Sequence, residues 1–209
     1  MNENSRRPTL LLLMPGAGII LFILLYSIAT FLYPGGSKVD PSATGFNWLH
    51  NYWCELTDVY SINGQPNPAR PLALMAMVIL CISLSIFWYF LPRLFPAHPV
   101  FKIIRYSGIM SMGIGVFMFT GYHDLVIDIG GLLAAIALTA TFVGLYQSKM
   151  YSFFTYGLAC LLLMLFNYFI HKTGIFLSCL AVLQKITFVI VAIWIVLVNA
   201  QLSHKMVVR

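Results

Sequence analysis

Acidic side chains are scarce in this chain, and most of them fall where they could act together. Only 6 of the 209 residues are Asp or Glu. The order of the apolar segments places five of these acids on one side of a helical bundle: Asp40, Glu55, Asp58, Asp124 and Asp128. A carboxylate in an apolar protein pairs with a base or binds a cation, because an unpartnered charge in hydrocarbon costs several kcal/mol. Binding or catalysis is therefore predicted on this side of the bundle.

Other polar residues are predicted to join these acids in one outward-facing pocket. Asp124 and Asp128 are spaced i, i+4 and share a helix face. Asn167 and His171 have the same spacing. Lys185 lies about 11 residues, or roughly 16 Å, into an apolar segment. Asp128 is the deepest acid available to pair with it, and Glu55 could reach the same place from the loop. The predicted ligand-binding residues are Glu55, His123, Asp124, Asp128, Asn167, His171 and Lys185.

Several roles are open for these residues. Asp128 and Lys185 could form a buried ion pair that fixes helix register, or line a binding site, or the lysine could extend to the membrane surface. Zinc could be held by His123, Asp124 and His171, which are ligand types that it accepts. No tight metal signature such as HExxH is present. We therefore predict no cofactor and keep zinc as the alternative.

The composition indicates a membrane protein. Hydrophobic residues make up 60% of the chain and the mean hydropathy is +0.89. Charged residues make up 9%, against about 25% in a soluble domain. The net charge is +6, but the basic residues flank apolar segments, which is the pattern of membrane topology. We predict membrane lipids as partners and no nucleic acid.

Six apolar segments approach the roughly 20 residues needed to cross a bilayer. With the N-terminus inside, eight basic residues fall on the cytoplasmic side and three on the outer side, as the positive-inside rule requires. We predict an all-α, multi-pass protein of the cytoplasmic (inner) membrane with both termini cytoplasmic. It is a single transmembrane domain, residues 1–209, whose predicted spans are 9–33, 71–92, 103–122, 125–147, 150–170 and 174–201.

The outer loop, residues 34–70, is the only long connection. Phe46, Leu49, Trp53 and Leu56 recur in it at helical spacing. This pattern predicts a short amphipathic helix that lies on the membrane surface or caps the bundle. A loop of this length is often a functional lid.

Short motifs in this loop resemble those of a known family. They are similar to the first outer loop of an uncharacterised prokaryotic six-span membrane family, a domain of unknown function that is itself similar to the DRAM/FRAG group. Cys54, Glu55 and Thr57 stand where that family has Ser, Asp and Gly. The resemblance implies a six-helix fold and lipid as a partner. The motifs that carry it are Tyr33-Pro34-Gly35-Gly36-Ser37, Gly45-Phe46, Asn51-Tyr52-Trp53-Cys54-Glu55-Leu56 and Asn63-Gly64-Gln65-Pro66-Asn67, with His123 near the fourth span.

The predicted function is binding of a lipid headgroup, another amphiphile or a cation in the outward-facing pocket. The first alternative is a membrane-embedded lipid hydrolase, with metal-activated water as its nucleophile if zinc is bound. The second is a small ion-coupled transporter, although no internal repeat or broken helix is evident. Whether the chain is an enzyme, and whether it forms a homo-oligomer, stay open.

Overall fold

The computed structural model describes the backbone of residues 7–96, 98, 101–119 and 123–207. Side chains are described for 10–96, 98, 101–117 and 125–206. In this part of the chain the fold is all-α, as predicted. The α-helices are α1 (Arg7–Leu32), α2 (Arg70–Phe90), α3 (Lys102–Gly115), α4 (His123–Gln147), α5 (Tyr151–Thr173) and α6 (Leu177–Val207). Short 3-10 helices cover Trp53–Thr57, Leu91–Leu94 and Val116–Phe119.

Five helical segments within the described residues are long and apolar enough to cross a membrane. They are Leu10–Leu32, Arg70–Leu94, Leu125–Gln147, Tyr151–Thr173 and Leu177–Met206. The remaining α-helix, α3, has 14 residues and rises only about 21 Å. The 3-10 helix Val116–Phe119 continues it, after Gly113 and Gly115, and glycine weakens an α-helix. The predicted third span, 103–122, ends among residues 120–122, which lie outside the described part.

The helices form a bundle with two distinct ends. α1 packs against α2 and α6, α3 lies between α2 and α4, and α5 packs against α6 and α4. One end, here called the loop end, carries residues 33–69. The opposite end, here called the basic end, carries the connection from α2 to α3 and the last turns of α6. Each end has its own buried apolar cluster, centred on Phe22 and Leu56 at the loop end and on Leu94 and Leu202 at the basic end.

A close approach between α2 and α3 depends on a glycine. A Cβ added at Gly108 would overlap the indole ring of Trp88, which is buried. We expect Gly108→Ala to cost about 2 kcal/mol, as overpacking of a tight interface does. The melting temperature in detergent should fall by roughly 6 °C. The matched control is Gly131→Ala on α4, where an added Cβ meets nothing within 4 Å, and an equal loss in both variants would contradict the packing explanation.

The short amphipathic helix predicted in the outer loop is not confirmed over its full length. Residues 48–50 form a turn, and a 3-10 helix covers only Trp53–Thr57. The cause is asparagine chemistry, because amide side chains that bond the local backbone compete with a helix. Asn51 Oδ1 accepts a hydrogen bond from the Asn47 N–H at 2.7 Å, and Asn47 Oδ1 accepts one from the Leu49 N–H at 2.9 Å.

Candidate functional site

Lys185 is buried in the apolar body of the bundle although its side chain is basic. Its side chain is 8% exposed. Nζ donates one hydrogen bond to the Asn51 carbonyl at 2.6 Å and one to the Ala181 carbonyl at 2.7 Å. The Phe46 ring centroid lies 5.7 Å from Nζ, within range of a cation–π contact. The outer loop therefore supplies most of the coordination of this ammonium group.

Glu55 lies beside the same loop segment and is 6% exposed. Its Oε2 accepts a hydrogen bond from Asn51 Nδ2 at 2.6 Å, and the same amide donates to the Gly36 carbonyl at 2.7 Å. Loss of solvent raises the pKa of the Glu55 carboxyl, although the Asn51 bond lowers it in part. Glu55 and Lys185 also interact electrostatically. Asn51 thus joins an acid and a base through its side chain and its backbone.

Further contacts dock the loop on the first turns of α6. The Trp53 N–H donates to Gln184 Oε1 at 3.3 Å, and the Tyr52 hydroxyl donates to the Leu177 carbonyl at 3.4 Å. The Trp53 ring packs edge-on against Tyr26 and Phe188, with centroids 5.5 and 5.2 Å away. These contacts close the loop over the Glu55–Asn51–Lys185 cluster. The cluster attaches the loop to α6.

The structure brings together two of the seven predicted site residues, Glu55 and Lys185. Asp128 on α4 and His171 on α5 are exposed. Asn167 Nδ2 donates to Thr187 Oγ1 at 2.8 Å and so joins α5 to α6. His123 and Asp124 begin α4, but their side chains lie outside the described part of the chain.

The predicted pairing of Asp128 with Lys185 is not what the structure shows. Lys185 Nζ is hydrogen-bonded to the loop and to α6, and Asp128 is exposed. The physical reason is helix order: α4 packs mainly on α3, whereas α6 packs on α5 and α1. The backbone carbonyl of the loop residue Asn51 takes the position expected for Asp128.

No group of three or more His, Cys, Asp or Glu side chains that could hold a metal ion occurs among the described residues. The zinc alternative uses His123 and Asp124, whose side chains are not described, so it stays a prediction.

A cavity of about 700 Å³ lies at the basic end of the bundle. It is bounded by the connection from α2 to α3, the start of α3 and the last turns of α6, and Phe95 and Phe101 form part of its wall. Among the described residues, every titratable side chain that lines it is basic. This set, here called the basic pocket, comprises Arg93, His98, Lys102, Arg105 and Lys205.

Local contacts hold several of these basic side chains in place. Arg105 Nε donates to the Tyr89 carbonyl at 3.0 Å, and its guanidinium lies 4.5 Å from the Tyr89 ring centroid. The Arg93 guanidinium lies 4.7 Å from the Phe90 ring centroid. Lys205 Nζ donates to the Leu94 carbonyl at 2.6 Å. The Nε bond uses one of five N–H groups of Arg105, so this side chain keeps donors for an anion.

Sequence reasoning missed the basic pocket because it counted these residues only as a topology signal. Two features could have revealed it. Pro92 and Pro96 make the connection after α2 compact, and six antiparallel helices return Lys205 to the same end as Arg93. Positive charges gathered around one cavity repel each other, and an anion relieves that repulsion. The arrangement therefore suits an anionic ligand, such as a phosphate group, bound by charge-assisted hydrogen bonds.

Comparisons of this chain with protein-family models, with curated proteins and with solved structures find no match.

Proposed function

We propose that this protein spans the cytoplasmic membrane six times, with both termini inside, and binds the anionic headgroup of a membrane lipid in the basic pocket. The sixth span in this proposal is the third along the chain. The 18 residues from Lys102 to Phe119, as α-helix followed by 3-10 helix, rise about 29 Å, close to the thickness of the hydrocarbon core. The positive-inside rule then makes the basic end cytoplasmic.

The observation that carries the proposal is a cavity at the end of apolar helices, in which all titratable side chains of the described lining residues are basic. Such pockets on the cytoplasmic side suit acidic headgroups, because anionic lipids are concentrated in that leaflet. The Tyr89 ring stacks on the Arg105 guanidinium, and tyrosine and arginine are residues typical of membrane interfaces. The pocket therefore lies at the depth where lipid phosphates are found.

The outward-facing pocket predicted from the sequence is the second candidate. In the described part of the chain, Glu55 Oε1 is buried without a hydrogen-bond partner, and such an oxygen would accept a donor or a cation. The contacts of the Glu55–Asn51–Lys185 cluster favour a structural role instead. The hydrolase and transporter alternatives stay predictions, and no contact described above favours either.

The test compares lipid selectivity of the purified protein and of a pocket variant. We expect native mass spectrometry in detergent to show a preference for phosphatidylglycerol over phosphatidylcholine. The double variant Lys102→Gln/Arg105→Gln should weaken phosphatidylglycerol binding by about 30-fold, at about 1 kcal/mol per basic residue. Phosphatidylcholine binding should not change.

The matched control is Lys149→Gln, which removes an exposed positive charge between α4 and α5, outside the pocket. A control variant that loses selectivity equally would assign the effect to net charge. Equal binding of both lipids by the unmodified protein would refute the proposal.

A further inference from the structure

We propose that the ligand of the basic pocket is a two-part molecule, a phospholipid whose acyl chain lies in an apolar groove between α1, α2 and α3. This inference rests on the proposed function and deepens it. A membrane lipid can be distinguished from a soluble anion on this basis, since only the lipid needs both an apolar and a basic site.

The groove has a volume of about 520 Å³ and an almost wholly apolar lining. Leu11 contributes from α1, Ile82 and Ile86 from α2, and Ile109 and Met112 from α3. The polar Ser85 hydroxyl in its wall donates to the Cys81 carbonyl at 2.8 Å, so this hydroxyl is already engaged. The groove is thus suited to a hydrocarbon chain and not to a polar solute.

The groove and the basic pocket meet at two stacked pairs. Tyr89 and Phe90 line one end of the groove. The Arg105 guanidinium stacks on Tyr89 and the Arg93 guanidinium stacks on Phe90, and both arginines line the basic pocket. A lipid whose phosphate is bound by these guanidiniums has an apolar channel directly beneath its glycerol.

The length of the groove matches one leaflet. It extends along α2 from Ile82 to Tyr89, and along α3 to the first residue of the next 3-10 helix, from Ile109 to Val116, which is about 10 Å of helix in each case. One leaflet of the hydrocarbon core is about 15 Å thick. The groove is therefore long enough for the part of an acyl chain nearest the headgroup, when the headgroup lies at the basic end.

A transmembrane helix of a second copy is the other occupant that an apolar groove could accept. The charge distribution favours the lipid, because the groove ends beneath two arginines. All acids of the described side chains lie at or near the loop end: Asp40, Glu55, Asp58 and Asp128. A second copy would bring no acid to the arginines if its helices ran parallel to the first.

The test fills the groove without touching the basic pocket. Gly113 lines the groove, and a Cβ added there meets nothing within 4 Å, so Gly113→Leu starts a bulky apolar side chain in open space at the groove. Gly131→Leu on α4 is the matched control, because Gly131 is equally open and does not line the groove. The ligands are dioleoyl-phosphatidylglycerol and its chainless headgroup analogue, glycerol 1-phosphate.

We expect Gly113→Leu to lower affinity for dioleoyl-phosphatidylglycerol about tenfold and to leave glycerol 1-phosphate binding unchanged. The Lys102→Gln/Arg105→Gln variant should lower both. Unchanged lipid binding by Gly113→Leu, with the loss retained in the basic variant, would overturn the groove and keep the proposed function. Unchanged binding in all variants would overturn both. Dissociation of a dimer by Gly113→Leu with no change in lipid affinity would assign the groove to a second copy.

A second measurement does not depend on the folding of any variant. Phosphatidylglycerol with a diazirine in the middle of one chain is irradiated with the unmodified protein, and the adducts are mapped by peptide mass spectrometry. We expect adducts within residues 82–89 and 109–116. Adducts spread evenly over exposed residues of α4 and α5 would overturn the assignment.

Discussion

Replacing Lys185 with methionine is expected to lower the melting temperature in detergent by about 10 °C, which corresponds to about 3 kcal/mol for a chain of this size. The ammonium makes two hydrogen bonds, at 2.6 and 2.7 Å, to the Asn51 and Ala181 carbonyls. Bonds from a charged donor contribute about 1.5–3 kcal/mol each. Methionine has a similar length and no donor, so it leaves the buried Asn51 carbonyl without this donor, whereas the Ala181 carbonyl keeps the backbone hydrogen bond of α6.

The loss of stability in Lys185→Met is also expected to increase as the pH rises. Desolvation already raises the pKa of the Glu55 carboxyl above its usual value, although the Asn51 hydrogen bond lowers it in part. Glu55 and the Lys185 ammonium interact electrostatically, so removal of the ammonium disfavours the charged carboxylate further. Without that charge the folded protein holds the Glu55 proton more tightly than the unfolded chain does. Stability then falls as pH rises from the ordinary glutamate pKa through the folded one.

The double variant Lys185→Met/Glu55→Gln tests this coupling by thermal denaturation between pH 5 and pH 8. The added glutamine should remove the extra pH dependence of Lys185→Met, because no carboxyl remains to titrate beside the vacated position. Lys172→Met serves as the control, since Lys172 is an exposed lysine at the same end of the bundle. A melting temperature of Lys185→Met within 2 °C of Lys172→Met would show that the cluster contributes little.

The long apolar segments were predictable from composition, and the structure confirms five of them as helices able to span a membrane. The hydropathy of a span is averaged over about 20 residues, so one atypical residue does not change the prediction. The boundary of α3 was not predictable in the same way. Gly113 and Gly115 sit inside an apolar run, and the change to 3-10 geometry at Val116 leaves no mark on hydropathy.

The partners of Lys185 could not be predicted, because they depend on tertiary contacts of a backbone group. The sequence shows that a lysine lies deep in an apolar helix and must have a partner. An acid is the partner that residue types suggest, yet the shortest described hydrogen bond of the ammonium is to the Asn51 carbonyl, 134 residues away along the chain. Carbonyl groups belong to every residue, so no sequence pattern identifies which one approaches the ammonium.

Asn67→Asp is expected to be the most damaging single substitution in the outer loop, costing about 3–4 kcal/mol. The Asn67 amide is 6% exposed and donates to three carbonyls, those of Glu55, Leu56 and Asp58, at 3.0–3.2 Å. Its Oδ1 accepts from the Ala69 N–H at 3.1 Å. This one side chain therefore fixes the end of the Trp53–Thr57 helix to the start of α2.

Aspartate has almost the shape of asparagine, so packing is retained and only the hydrogen-bonding character changes. A carboxylate in place of the amide has no donor and faces three carbonyl oxygens, which is repulsive as well as unsatisfied. Protonation at low pH restores one donor, so the variant should be less stable at pH 8 than at pH 5 relative to the unmodified protein. Release of the Glu55 backbone should also loosen the Glu55–Asn51–Lys185 cluster, and protease cleavage within residues 40–65 should become faster.

Asn63→Asp provides the matched comparison, with the same chemical change in the same loop. The described bonds of the Asn63 side chain use its oxygen alone, which accepts from the Ser61 hydroxyl at 2.6 Å and from the Gln65 N–H at 3.1 Å. A carboxylate can accept both bonds, so we expect a change below about 0.5 kcal/mol. Equal destabilisation by the two variants would mean that negative charge in the loop, and not the lost donor of Asn67, is responsible. A large loss of stability in Asn67→Asp alone would establish that hydrogen bonds from the Asn67 side chain to the loop backbone stabilise the closed loop. Lys185 would then attach to α6 a loop whose conformation depends on Asn67.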